Sequence, residues 1–224
     1  MKERICYLCG QEITGKISKE HVPPKQFYAK VFRQVNSPNL LTLLSHEDCN
    51  KFYQADEDYF FAALAGLNED AQIHDWLMGD VRKKIWRNNA SGLRQKVLSE
   101  FSKTYSGIYL PNNLVAKKFD VARARKVVWK IVRGLFYYHY SRFLPESIKH
   151  AIMFYQIQDR PPKIYIDHLM DKPTYGGYPE VFVYRFARVS DKNSLSSLWS
   201  LFFWQSIVAI VPVIASELQD NKNS

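Results

Sequence analysis

The pattern of apolar and polar positions predicts a strand–strand–helix unit at the start of the chain. Short apolar runs at residues 17–22 and 40–44 predict two strands, and the first ends because Pro23 and Pro24 donate no ladder hydrogen bond. Asp48 is placed to cap a following helix. The apolar stripe of that helix consists of Phe52, Tyr59, Phe60, Ala63 and Leu67.

Helical periodicity dominates the middle of the chain. It predicts helices over residues 70–90, 91–103 and 120–144, and Pro145 is expected to end the last of them. Residues 104–118 contain glycine, proline and asparagine and predict a turn-rich connection. We therefore expect helices on both sides of an irregular segment.

The C-terminal part mixes strand-like runs with turns. Residues 151–157, 163–166 and 180–189 predict strands, which we expect to pair into an antiparallel sheet with the helix at 120–144 packed on it. Residues 194–216 carry no charge and are long enough to cross a bilayer. Two buried strands are favoured over a membrane span because polar and helix-breaking residues interrupt the run. The interrupting residues are Trp199, Gln205 and Pro212.

The spacing of cysteine and histidine predicts a structural zinc site in the first unit. Cys6 and Cys9 are separated by two residues, and His46 and Cys49 repeat that gap. Tetrahedral structural zinc takes four such ligands. The alternatives are a disulfide, a redox pair, or buried thiols acting as small apolar groups. A disulfide leaves one of the three cysteines over, and a redox pair does not account for His46, so zinc is favoured.

A zinc ion would fold a segment that has too few apolar residues to fold alone. Residues 10–45 lie between the two ligand pairs and are short and polar, so metal affinity would serve as folding energy. The expected fold class is α+β. It comprises a zinc-stapled unit at residues 1–68, a helical extension at 69–110 and an α+β segment at 111–224.

Three motifs surround the predicted zinc site. They are Cys6-Tyr7-Leu8-Cys9-Gly10, Glu20-His21-Val22-Pro23-Pro24 and Cys49-Asn50. Together they resemble the HNH endonucleases of the ββα-metal superfamily, in the zinc-knuckle branch with a Glu-His-Val-Pro-Pro motif. The resemblance covers residues 6–60, with a looser match at Arg133-Gly134-Leu135-Phe136-Tyr137. It implies that residues 1–68 form an HNH nuclease unit.

The resemblance also implies roles for individual residues. His21 corresponds to the general base, and Glu20 and Asn50 correspond to the ligands of a catalytic divalent ion. In the family, histidine is commoner at the position of Asn50, and aspartate is commoner at the position of Glu20. The asparagine that orients the base corresponds best to Asn39, although the spacing differs by two residues, and Thr42 is the alternative.

The chemistry of phosphodiester hydrolysis calls for the same residue types. Imidazole titrates near neutral pH and can activate a water, and a cation offsets the charge on the phosphate. Mg²⁺ or Mn²⁺ prefers oxygen ligands, which Glu20 and Asn50 supply. Glu57 lies seven residues after Asn50 on the same helical face and is a candidate further ligand. The alternative for Glu57 is a solvated helix face.

Charge points to a polyanionic partner. The net charge is +9 at pH 7 and the pI is about 9.3, which favours DNA binding. Lys25, Lys30 and Arg33 alternate with aromatic residues between the two strands and are candidate DNA contacts. The same stretch is also compatible with a short packing helix. Its apolar positions would be Phe27, Val31 and Val35.

Two functions follow from these features. The first is a metal-dependent DNA endonuclease, for which the family resemblance suggests a role in phage defence. The second is a zinc-bearing module that binds nucleic acid without cleaving it. The sequence does not distinguish DNA from RNA, and it leaves open a second copy or a partner protein. No signal peptide is recognised at the N-terminus, so a cytoplasmic location is expected.

Overall fold

The computed structural model describes residues 4–68, 70–189, 191 and 194–215, which form an α+β fold. The helices are α1 (Lys30–Asn36), α2 (Glu47–Leu64), α3 (Ala71–Ile85), α4 (Ser91–Ser99), α5 (Val121–Tyr140) and α6 (Lys163–Leu169). The strands are β1 (Ile17–His21), β2 (Thr42–His46), β3 (Phe101–Ser102), β4 (Thr104–Tyr105), β5 (Ile108–Tyr109), β6 (Ala116–Lys117), β7 (Lys149–His150), β8 (Met153–Gln156), β9 (Tyr175–Tyr178), β10 (Phe182–Arg188), β11 (Ser197–Phe203) and β12 (Ile207–Ile214).

The first unit is an antiparallel hairpin followed directly by α2. Strands β1 and β2 pair from Ile17 opposite His46 to His21 opposite Thr42. The second strand lies two residues later than predicted, because it continues to the histidine of the zinc-ligand pair. Helix α2 accordingly begins at Glu47 with His46 at its N-cap position, so Asp48 lies in the first turn and is not the cap.

The face of α2 that packs inward agrees with the predicted stripe at Tyr59, Phe60 and Ala63 but differs from it at the two ends. Phe52 and Leu67 are exposed, whereas Tyr53, Asp56 and Glu57 are buried because α5 lies against them. The stretch before β2 does contain a short packing helix, α1, but only one of the three predicted packing residues of this stretch, Phe27, is buried. Phe32 is buried as well, while Val31 and Val35 are exposed.

The predicted middle helices are present but shorter. Asp70 caps α3 by accepting a hydrogen bond from the Ile73 amide, and Asp120 caps α5 by accepting one from the Arg123 amide. Helix α5 ends at Tyr140, before Pro145, because Ser141 turns into the left-handed region with φ of 50°. The connection between α4 and α5 consists of short paired strands, β3 with β6 and β4 with β5.

The C-terminal sheet is antiparallel, with the order β7-β12-β11-β10-β9 and with β8 also on β12. The uncharged run from residue 194 forms β11 and β12, which confirms the two buried strands; Ser216 lies outside the described residues. The strand predicted at residues 163–166 was wrong, since this stretch lies in α6. Pro162 occupies the N-cap position of α6, and Lys163 pairs with Asp167 one turn later, which favours the helix.

One large hydrophobic core among the described residues contains side chains from all three predicted segments. Phe27 stacks on Phe60 at a centroid distance of 5.2 Å, and Trp204 of the β11–β12 turn donates its indole N–H to the Phe27 carbonyl at 3.1 Å. Burying each such ring stabilises the fold by about 1.5 to 3 kcal/mol. The division at residues 68 and 110 stays a prediction from the sequence, and residues 1–3, 69, 190, 192–193 and 216–224 of the predicted segments lie outside the described residues.

Helix α5 lies directly against the zinc-ligand loop and the end of β1. A Cβ atom on Gly134 would stand 2.7 Å from Cγ2 of Val22 and 3.3 Å from Cε2 of Tyr7. Beside it, Arg133 donates from Nη2 to the Leu8 carbonyl and from Nε to the Leu144 carbonyl. The Arg-Gly pair noted in the sequence therefore holds α5 against the first unit.

Substituting Gly134 with alanine tests this contact. We expect Gly134→Ala to lower the free energy of unfolding by about 1 to 3 kcal/mol, because the added methyl group overpacks a closed contact. The matched control is Gly79→Ala in α3, where a Cβ atom would meet nothing within 4 Å. Alanine should stabilise that helix by about 0.5 to 1 kcal/mol. Urea unfolding measures both values, and equal shifts would contradict the close approach at Gly134.

Candidate functional site

The four predicted zinc ligands meet at one point. The ligand atoms of Cys6, Cys9, His46 and Cys49 all lie within 4.8 Å of one another. Nδ1 of His46 is 3.3 Å from Sγ of Cys9 and 3.9 Å from Sγ of Cys49. Ligands at ordinary zinc distances stand about 3.5 to 3.8 Å apart at the corners of a tetrahedron. The donor set and its spacing therefore fit one zinc ion.

Hydrogen bonds prepare these groups for a cation. Nε2 of His46 lies 3.2 Å from the Glu12 carbonyl, so it carries the proton and Nδ1 keeps its lone pair for a metal. Burial opposes ionisation of Cys6, but backbone N–H donors led by His46 outweigh it and lower the pKa of its thiol to about 7. Burial and the charges of Cys6 and Cys9 raise the pKa of Cys49 to about 12. A bound divalent cation would relieve this repulsion between thiolates.

The loop of the first ligand pair is shaped by a tight turn. The Gly10 amide donates to the Cys6 carbonyl at 2.8 Å, and Gly10 has a φ of +74°, a conformation that glycine adopts without strain. The amide of His46 donates to Sγ of Cys6 at 3.4 Å, which joins this loop to the end of β2. The zinc-ligand pairs are thus held together by backbone contacts as well.

His21 is held in one orientation by the residue opposite it. Oγ1 of Thr42 donates to the Leu40 carbonyl at 3.2 Å, so at 3.1 Å it accepts the proton of His21 Nδ1. Nε2 is then the nitrogen with a free lone pair. Of the two candidates for the orienting residue, Thr42 makes this contact, because the strand register places it directly across from His21.

The imidazole of His21 lines an open cleft of about 620 Å³. Lys25, Lys30, Arg33 and Asn39 line the same cleft, so the predicted DNA contacts and the predicted base share one surface. We call this surface the phosphate cleft, and its other lining residues are Gln34, Ser37, Pro38, Leu40 and Thr42. Among the described residues, no acidic side chain lines it. Its chemistry suits a phosphate group beside a histidine.

The electrostatics of the phosphate cleft favour a neutral imidazole. Partial burial and then the positive charge of Lys25 lower the pKa of His21 below its usual value, although Glu20 opposes them. His21 is therefore unprotonated at neutral pH and able to accept a proton. Arg33 donates from Nε to the Tyr28 carbonyl at 2.9 Å, which fixes its guanidinium group at the cleft.

The predicted ligands of the catalytic ion lie on the other face of β1. Successive strand residues point to opposite faces, and Glu20 is buried toward α2 and α5 while His21 faces the phosphate cleft. Oε2 of Glu20, Oδ1 of Asn50 and Oε1 of Glu57 lie 3.4, 3.0 and 2.5 Å from Nζ of Lys130. Asn50 also donates to the Ser18 hydroxyl at 3.0 Å.

The ammonium group of Lys130 stands where these three side chains converge. Lys130 belongs to α5 and is only 1% exposed. Burial raises the pKa of Glu57 to about 7, even though Lys130 opposes the rise. As arranged, the three side chains do not fit a divalent ion, because the Lys130 ammonium group fills the position that the ion would need.

Sequence reasoning missed Lys130 and Arg133 as partners of the first unit. The helical period of α5 places both cations mostly off its apolar stripe, yet both are buried. A signal was available, because Arg133 begins the stretch with the looser resemblance to HNH proteins, and Lys130 lies about one turn before it. On the same helix, Nε2 of His139 lies 2.8 Å from the Tyr184 hydroxyl.

Comparison with known proteins gives no match, whether to protein-family models, to curated proteins or to solved structures. The resemblance to HNH endonucleases therefore stays an interpretation of the motifs. The structure shows the metal-binding arrangement of Cys6, Cys9, His46 and Cys49 within an α+β fold. Within the described part of the chain, every helix is too short or too polar to cross a bilayer.

Zinc binding can be tested at His46. We expect the purified protein to contain one zinc per chain, and His46→Asn to lose most of it, because the amide is a poor replacement for imidazole. The control is His168→Asn, which changes an exposed histidine in α6. Elemental analysis measures zinc, and thermal unfolding measures the accompanying loss of stability. An unchanged zinc content in His46→Asn would contradict the assignment.

The role of the buried ammonium group can be tested with Lys130→Met. We expect the free energy of unfolding to fall by about 3 to 5 kcal/mol, because two carboxylates lose their buried partner. The deficit should shrink as the pH falls toward about 7, because without Lys130 the pKa of Glu57 is raised further by burial and its carboxyl group takes up a proton in the folded variant first. The control is Lys126→Met, whose exposed ammonium group lies 3.6 Å from Asp56. Equal losses in the two variants across this pH range would contradict the arrangement.

Proposed function

We propose that this chain is an HNH-type endonuclease that hydrolyses phosphodiester bonds in DNA with His21 as the general base. The proposal is carried by one observation. The imidazole of His21, held through Nδ1 by Thr42, lines an open cleft together with Lys25, Lys30 and Arg33. The motif resemblance assigns the same histidine to the same role.

The residues of the phosphate cleft supply distinct parts of the reaction. The two lysines and Arg33 hold the scissile phosphate and offset the charge that grows on its oxygens. Nε2 of His21 accepts a proton from a water molecule as the water oxygen attacks phosphorus. The phosphorus–oxygen bond to the leaving group then breaks, and the leaving oxygen takes a proton from solvent. Thr42 positions His21 throughout and keeps its proton on Nδ1.

The divalent ion of the resemblance, Mg²⁺ or Mn²⁺, has no step in this scheme. In HNH endonucleases such an ion would be held by the residues that correspond to Glu20 and Asn50. Here those residues contact Lys130 instead, so the cleavage experiment decides whether the reaction needs the ion. Cys6, Cys9, His46 and Cys49 would hold a structural zinc ion, which would support folding of the unit and take no part in the chemistry.

A second function is favoured by the same position of Lys130. A zinc-bearing module that binds nucleic acid without cleaving it needs the cationic surface but not the catalytic ion. In this structure Lys130 contacts Glu20, Asn50 and Glu57 at the position where the catalytic ion would bind. The two functions differ in one measurable outcome, which is strand cleavage.

Cleavage of supercoiled plasmid DNA tests the proposal. We expect the protein to nick the plasmid under at least one of three conditions, which are metal-depleted buffer, added Mg²⁺ and added Mn²⁺. His21→Ala should lower the rate at least about 100-fold. The control His168→Ala should cleave as the wild type does. Because the pKa of His21 is lowered, the rate should rise with pH through an apparent pKa below 6.5.

Two outcomes would contradict the proposed nuclease mechanism. Wild-type protein that binds the plasmid but leaves it intact under all three metal conditions would support the non-catalytic module. Cleavage that survives in His21→Ala would remove His21 from the mechanism. Comparing DNA with RNA of the same sequence then identifies the substrate.

A further inference from the structure

A second cavity opens beside the phosphate cleft. It has a volume of about 380 Å³, and Asn39 and Leu40 line both cavities. Five tyrosines line it as well, so we call it the tyrosine pocket. They are Tyr28, Tyr138, Tyr175, Tyr178 and Tyr184. The two cavities therefore form adjacent parts of one surface, cationic on one side and aromatic on the other.

Most of these rings are held in place by their neighbours. Tyr175 stacks on Tyr184 with a centroid distance of 5.4 Å and an interplanar angle of 20°. The Tyr184 hydroxyl contacts Nε2 of His139, and the Tyr178 ring packs edge-on against Phe32 at 5.3 Å. The walls of the tyrosine pocket are thus ordered by packing before any ligand enters.

Tyr138 differs from the other four tyrosines in its exposure. It lies near the end of α5 and is 55% exposed, whereas Tyr28 and Tyr184 are buried. Gly176 and Gly177 also line the pocket, and a Cβ atom on Gly177 would meet nothing within 4 Å. The pocket therefore combines an exposed aromatic ring with a rim that lacks side chains, which leaves room for a flat group.

We propose that the tyrosine pocket binds an unpaired nucleobase of the strand whose phosphate lies in the phosphate cleft. This inference rests on the proposed function and names its substrate class, which is single-stranded or locally unpaired nucleic acid. Aromatic side chains stack on any base, and the pocket volume is within the range of small-ligand sites. A base in an intact duplex faces its partner strand and reaches such a pocket only after leaving the stack.

The surface that the two cavities share favours a nucleobase over another flat ligand. Asn39 and Leu40 line both cavities, so the cavities adjoin and one ligand can contact both. Such a ligand carries an anionic group at one end and an aromatic ring at the other. A nucleotide within a strand has this composition.

Binding of three fluorescent probes tests the inference without relying on cleavage. The probes are a short single-stranded DNA, the duplex of the same sequence, and an abasic strand of the same length. We expect the single strand to bind most tightly. Tyr138→Leu should weaken its binding about tenfold and leave binding of the abasic strand unchanged, because only base stacking is lost.

Two variants serve as controls. Tyr138→Phe keeps the ring and should retain single-strand binding, and Tyr109→Leu removes another exposed tyrosine, in β5, and should have no effect. Equal weakening of the abasic strand by Tyr138→Leu, no weakening of any probe, or a preference for the duplex would overturn the inference. Ring-dependent binding by a protein that does not cleave would overturn only the nuclease proposal. Failure of all three probes to bind would overturn both.

Discussion

The ammonium group of Lys130 joins three elements of this molecule, β1, α2 and α5. It lies between Glu20 on β1 and the side chains of Asn50 and Glu57 on α2, and it reaches them from α5. Removing such a group from water costs free energy, and its ion pairs offset that cost only when the partner groups are well placed. The fold therefore depends on α5 approaching closely, which Gly134 permits and which the bonds of Arg133 to carbonyl oxygens maintain.

The alternation of side chains along β1 places Glu20 and His21 on opposite faces with different surroundings. On the inner face Glu20 belongs to a buried, charge-compensated cluster that stabilises the packing of α2 and α5. On the outer face His21 meets solvent beside three cations, where its imidazole stays neutral. One strand thus contributes a structural residue and a proposed catalytic residue in succession. The tyrosine pocket continues the outer face toward the C-terminal sheet and connects two segments that are distant in sequence.

Several features could be predicted from the sequence because they depend on neighbouring residues. The two ligand pairs at Cys6 and His46 each span one short gap, and the metal requires that geometry whatever surrounds it. The hairpin and α2 followed from local periodicity, and Asp70 and Asp120 were recognisable as helix starts. The interpretation of the uncharged run after residue 194 as two strands followed from the residues that interrupt it.

The remaining features were decided by contacts between distant residues. Lys130 and Asn50 are 80 residues apart, and no local pattern shows that one will fill the space beside the other. The choice of Thr42 over Asn39 as the partner of His21 depended on strand register, and the helix at α6 depended on Pro162 and on packing against the sheet. The sequence alone determined which chemical groups were present and how they could fold locally. Only the tertiary structure decided which of them meet, because burial and charge pairing act between segments that the chain order does not relate.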